Sequence, residues 1–171
     1  MKNQSRTFVQ AMFLALTTCA TTLAFAQVPD AVKPPAGTTE AMKLKGAGML
    51  TYECKAKDAA FEWTFAGPDA ALMDASGKTV GKYYGGPTWE STDGSKITGK
   101  QVGIAPAAAG NIPYQLVETT PAMGKGAMEG VTHIQRINTQ GGVAPKDPCA
   151  QGNVGAKTKV AYSADYVFYK K

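Results

Sequence analysis

Residues 83–96 hold the densest set of chemically capable side chains: Tyr83, Tyr84, Trp89, Glu90, Asp93, Ser95 and Lys96. An aromatic face beside carboxylates and a hydroxyl suits a small polar or carbohydrate-like ligand, because the ring packs while the polar groups orient. Glu90 and Asp93 would form an acid/base pair if they converged at glycosidase-like separation. The structural alternative makes Gly85-Gly86-Pro87 a turn, Trp89 a core residue and Asp93-Gly94 the closure of a hairpin. Arg136 joins the candidates from further along the chain. Two residues after Ile134 in a strand, it shares that residue's face and is expected to be half-buried. A buried guanidinium needs a carboxylate or carbonyl partner. Asp165 or Glu53 is the expected internal partner, and an anionic ligand is the alternative. The ligand-binding candidates are therefore Tyr84, Trp89, Glu90, Asp93, Ser95 and Arg136. No residue is assigned as catalytic or as a metal ligand, and no cofactor is expected.

Other motifs are weaker. Gly46-Ala47-Gly48 starts like a dinucleotide-binding loop, but it lacks the third glycine, and a β pattern follows where a helix should open. Residues 94–101 approach a P-loop, yet Gln101 stands where a Mg²⁺-binding hydroxyl is required. His133 is the only histidine. A triad with Ser95 and Asp93 can be drawn on paper, but no Gly-x-Ser-x-Gly elbow accompanies it, and Val131 and Ile134 place His133 in a strand as a structural residue. One histidine cannot build a multi-histidine metal centre.

The elements that must position these residues read as β-strands. Phe61 to Phe65 alternates aromatic and polar residues. Leu50, Tyr52 and Cys54 share one face. Ile112, Tyr114 and Leu116 share another, and Val160, Tyr162, Ala164, Tyr166 and Phe168 define a long C-terminal strand. Apolar parity switches between Ile97 and Val102, which predicts a bulge near Gly99. Ser76-Gly77, Gly85-Gly86-Pro87, Asp93-Gly94 and Gly141-Gly142 separate the strands at hairpin-like intervals. Asp69–Ala75 is expected to form a helical turn. The fold class is all-β: a single antiparallel sandwich or flattened barrel over 43–171, preceded by an extended arm at 27–42.

Residues 1–26 have the form of a secretory signal peptide: Lys2 and Arg6, an apolar stretch from Phe8 to Phe25, then Ala24-Phe25-Ala26. The apolar runs are too short for a membrane span, and Thr18 fits poorly before a lipidated Cys19. Removing 26 of the 171 residues leaves 145. It also leaves one cysteine pair, Cys54 and Cys149, expected to form a disulfide in an oxidising compartment. The net charge of +5 falls to +3 without Lys2 and Arg6. The remaining basic residues form no stripe, so a nucleic-acid partner is not expected. A monomer is the default, in the periplasm or secreted.

Tyr52-Glu53-Cys54, Gly86-Pro87-Thr88-Trp89-Glu90, Thr92-Asp93-Gly94-Ser95-Lys96, Gly141-Gly142-Val143-Ala144-Pro145, Cys149 and Ala164-Asp165-Tyr166-Val167-Phe168-Tyr169 carry a resemblance. Taken together, they resemble a family of exported bacterial and fungal proteins, the domain of unknown function DUF 3455. The likeness runs from about Val28 to Tyr169. It implies export and one domain, and it implies no activity. Members commonly have a histidine just before Gly-Pro-Thr-Trp, where this chain has Tyr83, so no role of that histidine carries over. Three functions stay open: a noncatalytic binding module of the cell envelope for a small or carbohydrate-like ligand, an envelope structural or protein-interaction domain, and a hydrolase using Glu90 or Asp93.

Overall fold

Alternation of buried and exposed side chains runs through long stretches of the chain, and these stretches hydrogen-bond into one antiparallel sheet. A computed structural model describes residues 28–171. The expected signal peptide and Cys19 lie outside the described residues. The strands are β1 (Thr39–Lys57), β2 (Ala60–Met73), β3 (Thr79–Tyr84), β4 (Thr88–Ser91), β5 (Lys96–Ala105), β6 (Tyr114–Thr119), β7 (Val131–Gly141) and β8 (Lys157–Lys170). Each pairs with the next, and β8 returns to β1, so the sheet is a closed up-and-down barrel. No helix among the described residues is long and apolar enough to cross a membrane.

This arrangement sorts the connections between two ends. The β1–β2, β3–β4, β5–β6 and β7–β8 connections share one end of the barrel. The β2–β3, β4–β5 and β6–β7 connections share the other with the start of β1 and the end of β8. Leu50, Tyr52, Leu72, Tyr83, Trp89, Ile97, Ile134, Tyr162, Tyr166 and Phe168 fill the interior. A smaller cluster lies on the outer wall, where Val32 from the N-terminal arm packs on Ala105 and Leu116. Gln135 fastens that arm by donating from Nε2 to the Val32 carbonyl at 2.6 Å.

Several local expectations shift. β1 begins at Thr39, inside the segment read as an arm, because residues 39–42 already pair with β8. Asp69–Met73 is strand rather than helical turn, since β2 is paired on both sides there and buries Ala70 and Leu72. The β5 bulge falls between Gln101 and Gly103. Gly99 instead admits the backbone of Glu118 from β6, which a Cβ would strike. Ile112 precedes β6 and faces the interior, whereas Leu116 belongs to the outer cluster.

Cys54 and Cys149 are joined, as expected, across 95 residues. The bond draws the β7–β8 connection over the projecting β1–β2 hairpin. Trp63 reinforces it by donating from Nε1 to the Asp147 carbonyl at 2.8 Å. Closing a loop of this length stabilises by up to about 4–5 kcal/mol in the chain-entropy treatment, and measured values are usually about 2–4 kcal/mol. Replacing both cysteines by alanine is therefore expected to lower unfolding stability in urea by about 2–4 kcal/mol while the β circular dichroism persists. A loss below about 1 kcal/mol would show that the Trp63–Asp147 contact holds the loop without the bond.

Candidate functional site

The hairpin geometry of residues 79–91 distributes the candidate residues among three places, since neighbours in a strand face opposite ways. Trp89 points inward and is 1% exposed. Its ring stacks on Tyr83 at 4.6 Å and meets Tyr166 edge-on at 6.2 Å. Glu90 lies on the outer wall, where Tyr84 donates its hydroxyl to Oε2 at 2.6 Å and Lys82 lies 3.5 Å from Oε1. The Tyr84 hydrogen bond, helped by Lys82, lowers the Glu90 pKa, and the same bond to the Glu90 carboxylate raises that of Tyr84. Trp89 and Glu90, expected on one platform, are thus on opposite sides of the barrel wall.

Asp93 and Ser95 occupy the β4–β5 turn at the far end. Asp93 Oδ1 accepts from the Ser95 backbone N–H at 2.8 Å and from its hydroxyl at 2.6 Å, and Oδ2 accepts from Ala127 N–H at 2.8 Å. Ser95 Oγ in turn accepts from Met128 N–H at 3.2 Å. Ser95 and Met128 are both fully buried. The pair therefore holds the β6–β7 connection down as a plug, with Met128 in the core. His133 takes no part in this: its Nδ1 lies 3.1 Å from Thr132 Oγ1, and burial lowers its pKa. No Ser–His–Asp chain of hydrogen bonds exists among the described residues.

The opposite end is open. A cavity of about 320 Å³ enters the barrel mouth, lined on its apolar side by Leu50, Tyr52, Phe65, Pro68, Tyr83 and Ile112. Its polar side chains include Gln101, Gln115 and Arg136. The volume is within the range of small-molecule sites, and an eight-stranded barrel has room for about one small ligand. Of the six ligand-binding candidates named from the sequence, only Arg136 lines it. Tyr83 from the same block does so too, with Gly86 and Pro87 at the rim. A further depression of about 580 Å³ lies along the β6–β7 connection and holds one lysine and one glutamate, Lys125 and Glu129.

The register places Arg136 opposite Gln115 on β6 and Tyr166 on β8. Its Nε and Nη2 both donate to the Pro113 carbonyl, at 3.3 and 2.9 Å. That carbonyl is well placed because the β5–β6 connection is tied to the end of β7. Thr139 Oγ1 donates to Ile112 O at 2.6 Å, and Asn111 Oδ1 accepts from Gly141 N–H at 2.7 Å. The expected carboxylate partners are engaged elsewhere: Asp165 with Lys43 and Asn138, Glu53 with Lys55 and Lys157. The carbonyl partner is the one realised. Among the described residues, Arg136 makes no ion pair and no Asp or Glu lines the cavity.

Tyrosines surround this cation. Burial raises the hydroxyl pKa values of Tyr52, Tyr83, Tyr162 and Tyr166, that of Tyr162 to about 12, and the Arg136 charge opposes the rise at all four. They stay neutral near pH 7. Tyr52 donates to Gly142 O at 2.7 Å, and the Tyr162 and Tyr166 hydroxyls are 3.2 Å apart. Gln115 Nε2 donates to Gln101 Oε1 at 2.7 Å. Sequence reasoning missed the place of Gln101, Gln115, Tyr52 and Tyr83 at the mouth, although Tyr52 falls on the apolar parity of its strand. No group of three potential metal ligands occurs among the described residues.

A family model described as "Protein of unknown function (DUF3455)" matches residues 35–170. No curated protein and no solved structure matches the chain.

The plug generates a pH prediction. Hydrogen bonds from Ser95 and from Ala127 hold the Asp93 carboxyl at about 2, below its ordinary 3.8. A depressed carboxyl pKa contributes stability that is complete above the unfolded value and lost as pH falls through the folded one. Asp93→Asn is expected to melt below the wild type at pH 7, with the gap closing between about pH 4 and pH 2. Melting curves across that range check it; a gap independent of pH would remove the carboxylate charge from the account.

Proposed function

The chain belongs to the DUF3455 family of proteins of unknown function, and we propose that it is an exported, noncatalytic module that binds a small ligand in the mouth of the barrel. The observation that carries this reading is the roughly 320 Å³ cavity, with a half-buried arginine that no acidic residue among those described neutralises. A stability-driven interior would continue the apolar filling to the end of the barrel, because isolated interior charge is costly. Here the filling stops at Tyr83 and Ile112, and the polar groups begin. Export is supported by the signal-like residues 1–26 and by the Cys54–Cys149 disulfide, which persists in oxidising compartments such as the periplasm or the exterior.

The hydrolase alternative has less support. Neither Glu90 nor Asp93 lines the cavity, and both carboxylates already accept short hydrogen bonds from their own surroundings. Trp89 supports the site indirectly: its stack fixes Tyr83, which forms part of the wall.

The test is thermal melting of the oxidised protein against a panel of sugars, amino acids, aromatic compounds and organic acids. A ligand at 100 times its Kd adds about 2.7 kcal/mol. A saturable rise for one class is expected. It should vanish in Ala66→Trp, which crowds the mouth from an exposed position without touching the core. A flat panel would transfer support to the envelope structural or protein-interaction reading, and a shift that survives Ala66→Trp would move the binding site away from the barrel mouth.

A further inference from the structure

We propose that the ligand of the barrel mouth is a small organic monocarboxylate with an apolar body, its carboxylate held by Arg136 and its ring or alkyl chain packed between Tyr52, Phe65, Tyr83 and Ile112. This rests on the binding-module reading above and names the ligand class for that site.

Three features carry it. The first is charge. Among the described residues, Arg136 is the one charged side chain lining the cavity, and no acidic group accompanies it. A ligand carrying one negative charge completes the pair. A phosphate dianion would leave charge uncompensated among apolar walls. The second is donor geometry. A guanidinium has five N–H donors, and Pro113 O takes one from Nε and one from Nη2. That contact fixes the plane of the group and leaves further donors for a carboxylate, the partner a planar guanidinium suits best. The third is the rest of the wall. A sugar needs many polar partners, but Gln101 and Gln115 already bond to each other, and the Tyr52 hydroxyl is committed to Gly142. Leu50, Phe65, Pro68, Pro87 and Ile112 offer only apolar contact. Such a surface accepts an aromatic or alkyl body, and it offers a hydroxyl-rich one few polar partners beyond Arg136 and the remaining amide groups of Gln101 and Gln115.

The experiment is calorimetric titration of the oxidised protein at pH 7 with three acids, benzoate, 3-phenylpropionate and hexanoate. Each is compared with its neutral amide, and phenyl phosphate and glucose are run alongside. At least one acid is expected to bind ten-fold or more tighter than its amide. Arg136→Gln should erase that difference while leaving the weak amide binding in place. In the wild type, acid affinity should fall as pH drops below the ligand's own carboxyl pKa, a readout that does not depend on any variant folding. Equal binding of acid and amide, or tighter binding of phenyl phosphate or glucose, would overturn the carboxylate assignment and leave the binding module standing. No binding by any compound, acid or neutral, would overturn both.

Discussion

The seam between β1 and β8 is the constraint on which the barrel depends. Register runs from Thr39 opposite Lys170 to Glu53 opposite Lys157, so the seam joins the first strand to the last. Without it, the same strands form an open meander with two unprotected edges. To pair with β8 on one side and β2 on the other while curving tightly, β1 must thin its inner face. Gly46 does so beneath Tyr166, whose ring occupies the space a Cβ would take, and Gly48 lets the β2 backbone at Asp69 and Ala70 approach. Glycine inside a strand normally weakens it. Here it allows the Tyr166 ring of β8 to lie across the seam, so closure and core packing become one interaction.

That packing also determines where the barrel is solid and where it is hollow. Tyr166 touches Tyr83 and Trp89, and the three rings fill the middle of the interior. Below them, Met128 from the β6–β7 connection closes the end, held through Ser95 and Asp93. Above them, Gln101, Gln115 and Arg136 take inward positions beside Leu50 and Ile112, so one side of the mouth is polar. An eight-stranded barrel is so narrow that a few residues decide whether it is filled or open. The residues of the 83–96 block therefore serve the mouth from behind: Trp89 braces Tyr83, and Asp93 with Ser95 seals the opposite end.

The strands were legible where period-two alternation was sustained, as at Phe61–Phe65 or Tyr162–Phe168. The all-β class and the disulfide followed from that pattern and from two cysteines. Closure into a ring was not distinguishable from a sandwich, because both show the same alternation, and only the pairing of β1 with β8 separates them. The short alanine run before Met73 gave no clear period, and its partners on both sides impose strand conformation. For the site, residue type misled: the block richest in aromatic and acidic groups is split by the pleat. Arg136 was identifiable from its parity with Ile134, but its partner was not. A backbone carbonyl such as Pro113 O leaves no trace in side-chain chemistry.

Folding alone accounts poorly for Arg136. The Pro113 carbonyl needs a donor, but one neutral donor such as an amide would satisfy it. A guanidinium brings five donors and a permanent charge into a wall of tyrosines that supplies no anion. Replacing an interior charge by an apolar residue of similar volume is often neutral or stabilising, so stability gives little reason to place a charge on the inner face of β7. Its surroundings nevertheless hold it firmly. Thr139 and Asn111 fix the β5–β6 connection, that connection fixes Pro113 O, and Pro113 O fixes the guanidinium plane. A charge oriented through two successive layers of hydrogen bonds, at the solvent-facing end of an otherwise filled interior, is the arrangement that the proposed binding of an external anion requires.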